Sequence, residues 1–448
     1  MSCQTPAPAP VRSPPVKLVT LDPGHFHAAL VQKSMYADID SIVHVYAPPG
    51  EDVQLHLDRI KAYNTRSDDP THWSEKVYTG KDFFEKMIAD RAGNTVVLSG
   101  NNRDKAEYIL GSLRAGFNVL ADKPMVIDSA GFELLRQAFD TAGRSRLLLY
   151  DIMTERYEIA TILQREFSML PDVFGTQQTG DPAHPGVVMS SVHHFYKQVS
   201  GKALTRPPWF FDAAQQGGGI VDVMTHLVDL VQWECFPEQA LDYKKDIQVD
   251  RARHWPTELS NAEFKEITGL NDYPSYLLPL TDGDTGRLKL YVNGEINYRL
   301  RGVHVRTTAT WTYKDPLTAD DTYYSLLRGT KASLVIRQGA EEQFKPTLYI
   351  EPVVATAGAT ASYEKDLTKE LEALRKKYPG IALARTARGW KITIPESYKE
   401  GHEAHFARVT QHFLSYLKDH NMPAWETPNM IAKYYTTTKA LEIARQQH

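Results

Sequence analysis

The sequence predicts an α/β chain. A doubly wound parallel sheet is expected in the first third, followed by an α+β domain whose open sheet is mainly antiparallel. Two observations carry this. Residues 16–150 alternate short, fully apolar runs with helical patterns of crossover length, as a sheet covered on both faces requires. After Tyr150 the apolar segments lengthen, gain Thr, Tyr and Val, and partly alternate, as strands with one covered face do.

In order, "VKLVTLD" reads as a strand, "FHAALVQKSM" as a helix, "SIVHVYA" as a strand and "KDFFEKMIAD" as a helix. "NTVVLSG", "NVLADKP" and "RLLLYDI" are strands, separated by the helices "DKAEYILGSLRAG" and "SAGFELLRQAFDTAG". The second domain, 151–448, opens with the helix "EIATILQREFS". Its strands are "GVVMSSVHHFYK", "LKLYVNGEINYRL", "VHVRTTATWTY", "ASLVIRQG" and "TLYIEPV". Helical tracts follow at 361–378, 401–420 and 426–446, and the helices within 401–446 are expected to pack back on the first domain.

The 448 residues suffice for two sizeable cores, with 42% hydrophobic and 24% charged residues. A formal net charge of −4 argues against a nucleic-acid partner. The two cysteines, Cys3 and Cys235, exclude a disulfide framework and a multi-cysteine zinc site, and Cys235 reads as a small buried hydrophobe. The start "MSCQTPAPAPVRSPP" reads as an extended tether over 1–15. A cysteine before such a tether resembles the start of a mature bacterial lipoprotein. That implies a lipid anchor through Cys3 and a periplasmic or membrane-anchored location, with a cytoplasmic protein as the alternative.

Chemistry concentrates in "QGGGIVDVMTHLVDLVQW", residues 216–233, which reads as a helix apolar on nearly every side and therefore buried. Asp222, His226 and Asp229 are spaced by four and three and share one face. Ionisable groups in a row on a buried helix need something polar to face them. Asp229 reads as a tie between the domains. Asp222 and His226 read as functional, because Gly217, Gly218 and Gly219 would let a ligand approach the backbone and a helix start favours an ionised Asp222. Lys123 lies at the C-terminal end of a predicted parallel strand, where ligands bind in open α/β sheets.

"VLSGNNRDKAEYILGSLRAGFNVLADKPM" resembles the strand–helix–strand unit ending in Glu-Lys-Pro of the glucose–fructose oxidoreductase/inositol dehydrogenase (Gfo/Idh/MocA) family, with Asp122 in place of the glutamate. "GGGIVDVMTHLVDL" is similar to the same family's glycine-run, Asp-x-x-x-His-x-x-Asp helix. The resemblance covers about residues 16–235; the remainder fits a branch with an enlarged C-terminal domain. It implies a Rossmann domain and hydride transfer between NAD or NADP and a carbinol or keto carbon of a saccharide or polyol. Lys123, Asp222 and His226 would be the catalytic set. His226 suits a general base and acid, Lys123 would stabilise alkoxide charge, and Asp222 would orient both. A glycosidase or lyase that oxidises a sugar transiently on tightly bound NAD is an alternative with the same residues. A non-catalytic sugar-binding protein is a second. By analogy with the family a homodimer or homotetramer is expected.

The dinucleotide motif departs from the family. Where GxGxxG is expected the chain reads Asp22-Pro23-Gly24-His25-Phe26-His27. Gly24 keeps the position where backbone must approach the pyrophosphate, the following helix would offer its N-terminus, and His25 and His27 would add hydrogen bonds. Tyr46-Ala47-Pro48 replaces the usual ribose-gripping acid, for which Glu51 or Asp52 would substitute. The cofactor is therefore expected to be held in a modified and tight way. Its expected contacts are Asp22, Gly24, His25, Phe26, His27, Ser99, Asn101, Asn102, Asp122 and Lys123. Substrate contacts are expected from Arg156, His194, Lys197, Trp209, Asp222 and His226, with Trp209 as a sugar-stacking platform. Glu155 beside Arg156 stands near the interdomain cleft, as a site residue or an ordinary ion pair. A hydrolytic metal site built from His25, His27, Asp222, His226, His193 and His194 is the less favoured reading, and no metal is expected, because the helix and Lys-Pro strand already account for those positions.

Overall fold

The computed structural model describes residues 16–199, 202–314, 321–353 and 356–446. The tether and Cys3 lie outside these residues.

The first domain is a six-stranded parallel sheet: β1 (Leu18–Leu21), β2 (Ile42–Ala47), β3 (Ser74–Thr79), β4 (Thr95–Leu98), β5 (Asn118–Asp122) and β6 (Leu149–Ile152). Its spatial order, β3-β2-β1-β4-β5-β6, is the dinucleotide-binding order, with the crevice where β1 meets β4. All four residues of β1 and of β4 are buried, as expected of strands covered on both faces. The helix expected over "FHAALVQKSM" is one turn, His27–Leu30. The helix Glu51–Thr65 and strand β3 are additions to the sequence reading. β3 is a mostly exposed edge strand, without the apolar run that marks a buried one.

The second domain is built on a nine-stranded mixed sheet. Its spatial order is Ile247–Leu259, Leu288–Leu300, Val303–Thr312, Val187–His194, Thr322–Arg328, Ala332–Gln338, Thr347–Pro352, Gly389–Thr393 and Ala382–Thr386. Val187–His194 pairs in parallel with Val303–Thr312, and the other neighbours are antiparallel.

Two helices join the domains. Phe406, Val409 and Phe413 of His402–Asp419, with Met430 and Tyr434 of Glu426–Arg445, belong to the first domain's core. Glu426–Arg445 also packs on Met224–Cys235, on Ser129–Ser145 and on the strand Ile247–Leu259.

The glycine run takes a different part from the expected one. The regular helix begins at Met224, and residues 219–223 form turns before it. A Cβ on Gly219 would lie 1.8 Å from the carbonyl oxygen of Val292, and one on Gly218 2.8 Å from that of Tyr291. These glycines let the chain press against the strand Leu288–Leu300 and do not mark a ligand's approach. Asp222 therefore precedes the helix rather than occupying its first turn.

Candidate functional site

The carboxyl end of β5 delivers Asp122 and Lys123 to the seam between the domains, because Val119, Leu120 and Ala121 are buried in the sheet. Lys123 Nζ lies 2.7 Å from Asp222 Oδ1, with side chains 12% and 7% exposed. Gln216 Nε2 donates to Asp222 Oδ2 at 3.1 Å. Burial pulls the Lys123 ammonium down, but the Asp222 and Asp122 carboxylates outweigh it and hold it above the ordinary lysine value. Lys123 is thus a fixed cation, suited to donating to an oxygen that gains charge. His226, one turn beyond Asp222, is kept neutral by burial and by the Lys123 charge, far below the usual imidazole range. Its Nδ1 is buried without a hydrogen-bond partner among the described residues. Lys123, Asp222 and His226 therefore form the expected cluster.

Lys105 underpins this corner. It is fully buried and donates to the carbonyls of Asp122 and Pro124, each at 3.1 Å, holding the backbone on both sides of Lys123. Burial lowers its pKa to about 8. Sequence reading missed it because a helical lysine reads as surface.

Asp22, at the first glycine position, adopts φ +49°, a left-handed conformation that aspartate tolerates. Burial, then Asp52, pushes its carboxyl up to about 7. A Cβ on Gly24 would lie 3.0 Å from Asp52 Oδ2 and 3.1 Å from Trp209 Cζ2. Trp209 Nε1 donates to that same Asp52 oxygen at 2.7 Å. Trp209 is therefore buried over the dinucleotide crevice and is not a sugar platform, while Asp52 rather than Glu51 stands beside the glycine. The one-turn helix after Gly24 is too short to provide the expected N-terminal phosphate site, and the amides of Gly24 and His25 already bond to Asp22 and Ser99. His25, His27 and Ser99 turn inward on Asp122, through its Oδ2, at 3.6, 2.9 and 3.0 Å. Phe26 packs its ring on both histidines.

Other expected contacts are placed differently. Asn101 donates to Gln215 Oε1 and Asn102 to the Gln216 carbonyl, both at 2.8 Å, so their amides tie the two domains together. Arg156 is locked in a buried network: it grips Asp229 at 2.6 and 2.7 Å and Glu426 at 3.1 Å, and is not free for substrate. His194 is buried with Nδ1 2.8 Å from Thr312 Oγ1. Strand alternation puts its neighbour His193 on the other side, where it shares Asp321 with Lys197 at 3.1 and 2.7 Å. Glu155 is raised by burial and lowered in turn by His193, Lys197 and Lys123, which places it among these groups. His402, from the C-terminal helix, reaches the same corner, its ring 5.5 Å from that of His27. Asp321 and His402 carry no local motif; long-range packing alone brings them here.

The chemistry of two buried side chains suits a nicotinamide nucleotide. His226 Nδ1 and Asn102 Oδ1 are buried polar atoms without partners among the described residues, and a carboxamide and ribose hydroxyls would satisfy such atoms.

The family model described as putative oxidoreductase C terminal domain matches residues 163–445. The chain is similar to a putative oxidoreductase from Parabacteroides merdae ATCC 43184, at 51% identity over 97% of this chain and 98% of that one, with a TM-score of 0.94. It shares its fold with a putative myo-inositol dehydrogenase from Sinorhizobium meliloti 1021, at 12% identity over 97% and 98% of the chains and a TM-score of 0.55. A levoglucosan dehydrogenase solved with NADH and levoglucosan is alike at 12% identity over 96% and 97%, with a TM-score of 0.59. No curated protein matches the chain.

Proposed function

The chain belongs to the oxidoreductase family of that C-terminal domain, a Gfo/Idh/MocA-type family, and from this premise we propose that it moves a hydride between NAD or NADP and a carbinol or keto carbon of a saccharide or polyol. The observation that carries the reading is the Lys123–Asp222 pair at the carboxyl end of β5, beside the neutral His226, whose Nδ1 has no partner among the described residues. The levoglucosan dehydrogenase of the same fold, holding NADH and a sugar, supports the substrate class.

Gly24, Asp52, Trp209 and Asn102 would hold the cofactor, with Asp22 keeping the loop in its left-handed turn. When bound, the cofactor supplies the hydride acceptor, so no protein nucleophile is required. The chain's own residues manage the proton and the charge. His226, neutral and with an open nitrogen, takes the hydroxyl proton as the alcohol is oxidised and returns it in the reverse direction. Lys123 donates to the same oxygen and stabilises its negative charge, at full strength because its ammonium is held charged in a drained site. Asp222 anchors Lys123 and is itself held by Gln216. Lys197, with Asp321 and His193, supplies polar groups for the sugar's remaining hydroxyls.

Denaturing the dialysed protein and identifying released small molecules by absorbance and mass tests the cofactor. Titration of NADH or NADPH into emptied protein tests it again. A chain that carries none and binds neither ends this reading. A panel of sugars and polyols, levoglucosan and myo-inositol included, tests the substrate class through reduction of added NAD or NADP. Lipid anchoring through Cys3 and assembly into a homo-oligomer belong to the same proposal. Intact mass of natively expressed protein and light scattering in solution decide them.

A further inference from the structure

Three of this chain's unusual residues meet at one point. His25 and His27 stand in the altered glycine motif, and Asp122 stands where the family has a glutamate. They come from two separate strand ends, β1 and β5, yet one donor atom of each lies within 4.8 Å of the others. His25 Nδ1 is 3.6 Å and His27 Nδ1 2.9 Å from Asp122 Oδ2. Donors around a tetrahedral zinc ion, bound at about 2.0–2.2 Å, stand roughly 3.3 Å apart, so these separations bracket the required spacing.

A second observation is independent of the spacing. The Asp122 side chain is 4% exposed, and its Oδ1 has no hydrogen-bond partner among the described residues. The histidines face Oδ2, so an ion among the three side chains satisfies the bare Oδ1 by drawing on both carboxylate oxygens, as a bidentate carboxylate does. Ser99 Oγ donates to Oδ2 at 3.0 Å, the kind of outer hydrogen bond that orients a ligating carboxylate. The nearby cations act on Asp122 through space, but neither is seen to hydrogen-bond its carboxylate among the described residues. Lys123 is matched by Asp222, and Lys105 donates to main-chain carbonyls. The amide of His27 reaches His25 Nδ1 only at 3.4 Å, a weak contact that a metal bond would displace.

We propose that His25, His27 and Asp122 form a binding site for one divalent transition-metal ion of the zinc class. Two neutral imidazoles and one carboxylate are the donor set such ions take, and three protein ligands leave further positions for water or a hydroxyl or carbonyl oxygen. The site stands or falls independently of sugar oxidation.

The test uses the full chain, stripped with a chelator and titrated with zinc by calorimetry, with bound metal counted by elemental analysis. One equivalent per chain is expected. Asp122→Asn, which keeps the side chain's shape, and His25→Ala are each expected to weaken zinc binding at least tenfold, and His184→Ala, at the exposed surface, to leave it unchanged. Cobalt in place of zinc is expected to give visible absorption of a four- or five-coordinate ion in the wild type, lost in Asp122→Asn. No uptake by the wild type, wild-type affinity in both site variants, or cobalt absorption that survives Asp122→Asn overturns the proposal. Circular dichroism of each variant separates loss of the site from loss of the fold.

Discussion

Two clusters of buried charge flank the helix Met224–Cys235, and they are built on opposite rules. Near its middle Asp229 is completely engaged. Arg156 grips both oxygens, and Lys433, 0% exposed, lies 2.8 Å from Asp229 and 2.6 Å from Asp151. Glu426 closes the other side of Arg156, and Tyr434 donates to Asp151 at 3.0 Å. Around its start the Lys123–Asp222 pair sits beside atoms without a hydrogen-bond partner among the described residues: His226 Nδ1 and Asp122 Oδ1. A buried network that satisfies its members holds a structure together, and one that leaves positions open is arranged for something that arrives. One helix thus carries a structural lock and a reactive corner two turns apart.

The largest effect should come from the open cluster. Lys123→Met and His226→Ala are each expected to cut turnover of an identified substrate by about 10²–10⁴; His226→Ala should leave the denaturation midpoint close to wild type, whereas Lys123→Met also loses stability because Asp222 stays buried without its cation. Equal loss of stability and of activity in His226→Ala would erase the distinction between the two clusters.

The closed cluster should answer in the opposite sense. Lys433→Met leaves Asp229 and Asp151 without a shared cation, and Arg156→Met leaves Asp229 and Glu426 facing each other. Each is expected to cost about 3–5 kcal/mol of unfolding free energy, read from urea unfolding of the full chain. The domains meet through this network, so the loss should appear as earlier separation of the C-terminal helices from the first core, visible in hydrogen exchange of Glu426–Arg445.

The same contrast explains what was legible in the sequence. The parallel strands and most helices follow from local apolar runs and crossover lengths, and Leu288–Leu300 coincides with its sequence reading. Edge elements did not show: β3 is polar, and the long strand Ile247–Leu259 is interrupted by charges and bulges. In the site, the juxtaposition of Lys123, Asp222 and His226 was readable because strand end and helical spacing are local properties, and Asp229, read as structural, bonds Arg156 and Lys433. Arg156, His194 and Trp209, read as substrate contacts, have buried partners of their own, which the sequence could not show because a side chain's partner lies far away in sequence. Arg156 is 73 positions from Asp229 and 270 from Glu426. The glycine run misled for a related reason: a glycine that admits a neighbouring strand and one that admits a ligand look alike until the strand is placed.

Gly219→Ala sharpens that last point at intermediate size. Its Cβ would meet the Val292 carbonyl oxygen at 1.8 Å, so backbone must move. A loss of about 2–4 kcal/mol in stability is expected, carrying activity down with it through the displaced Asp222. Retained stability with lost cofactor binding would restore the glycines to the ligand.

The smallest expected effect concerns a third acid on the same helix, which belongs to neither cluster. Glu234 is buried, and neither carboxylate oxygen has a hydrogen-bond partner among the described residues. Burial raises its pKa well above the ordinary carboxylate value, against the partial opposition of Arg165. The folded chain therefore keeps a proton that the unfolded chain releases near pH 4.5. Between that value and the raised folded pKa the folded state binds more protons, so stability falls as pH rises, by at most about 1.4 kcal/mol per unit. Glu234→Gln removes this slope. The variant should match wild type near pH 4.5 and exceed it increasingly above, as thermal midpoints measured across that range would show. Glu234→Leu, which removes both bare oxygens, should add about 1–3 kcal/mol at neutral pH. A wild type whose advantage over Glu234→Gln grows with pH would mean that the carboxylate is ionised and paired, and that this acid belongs with the closed cluster after all.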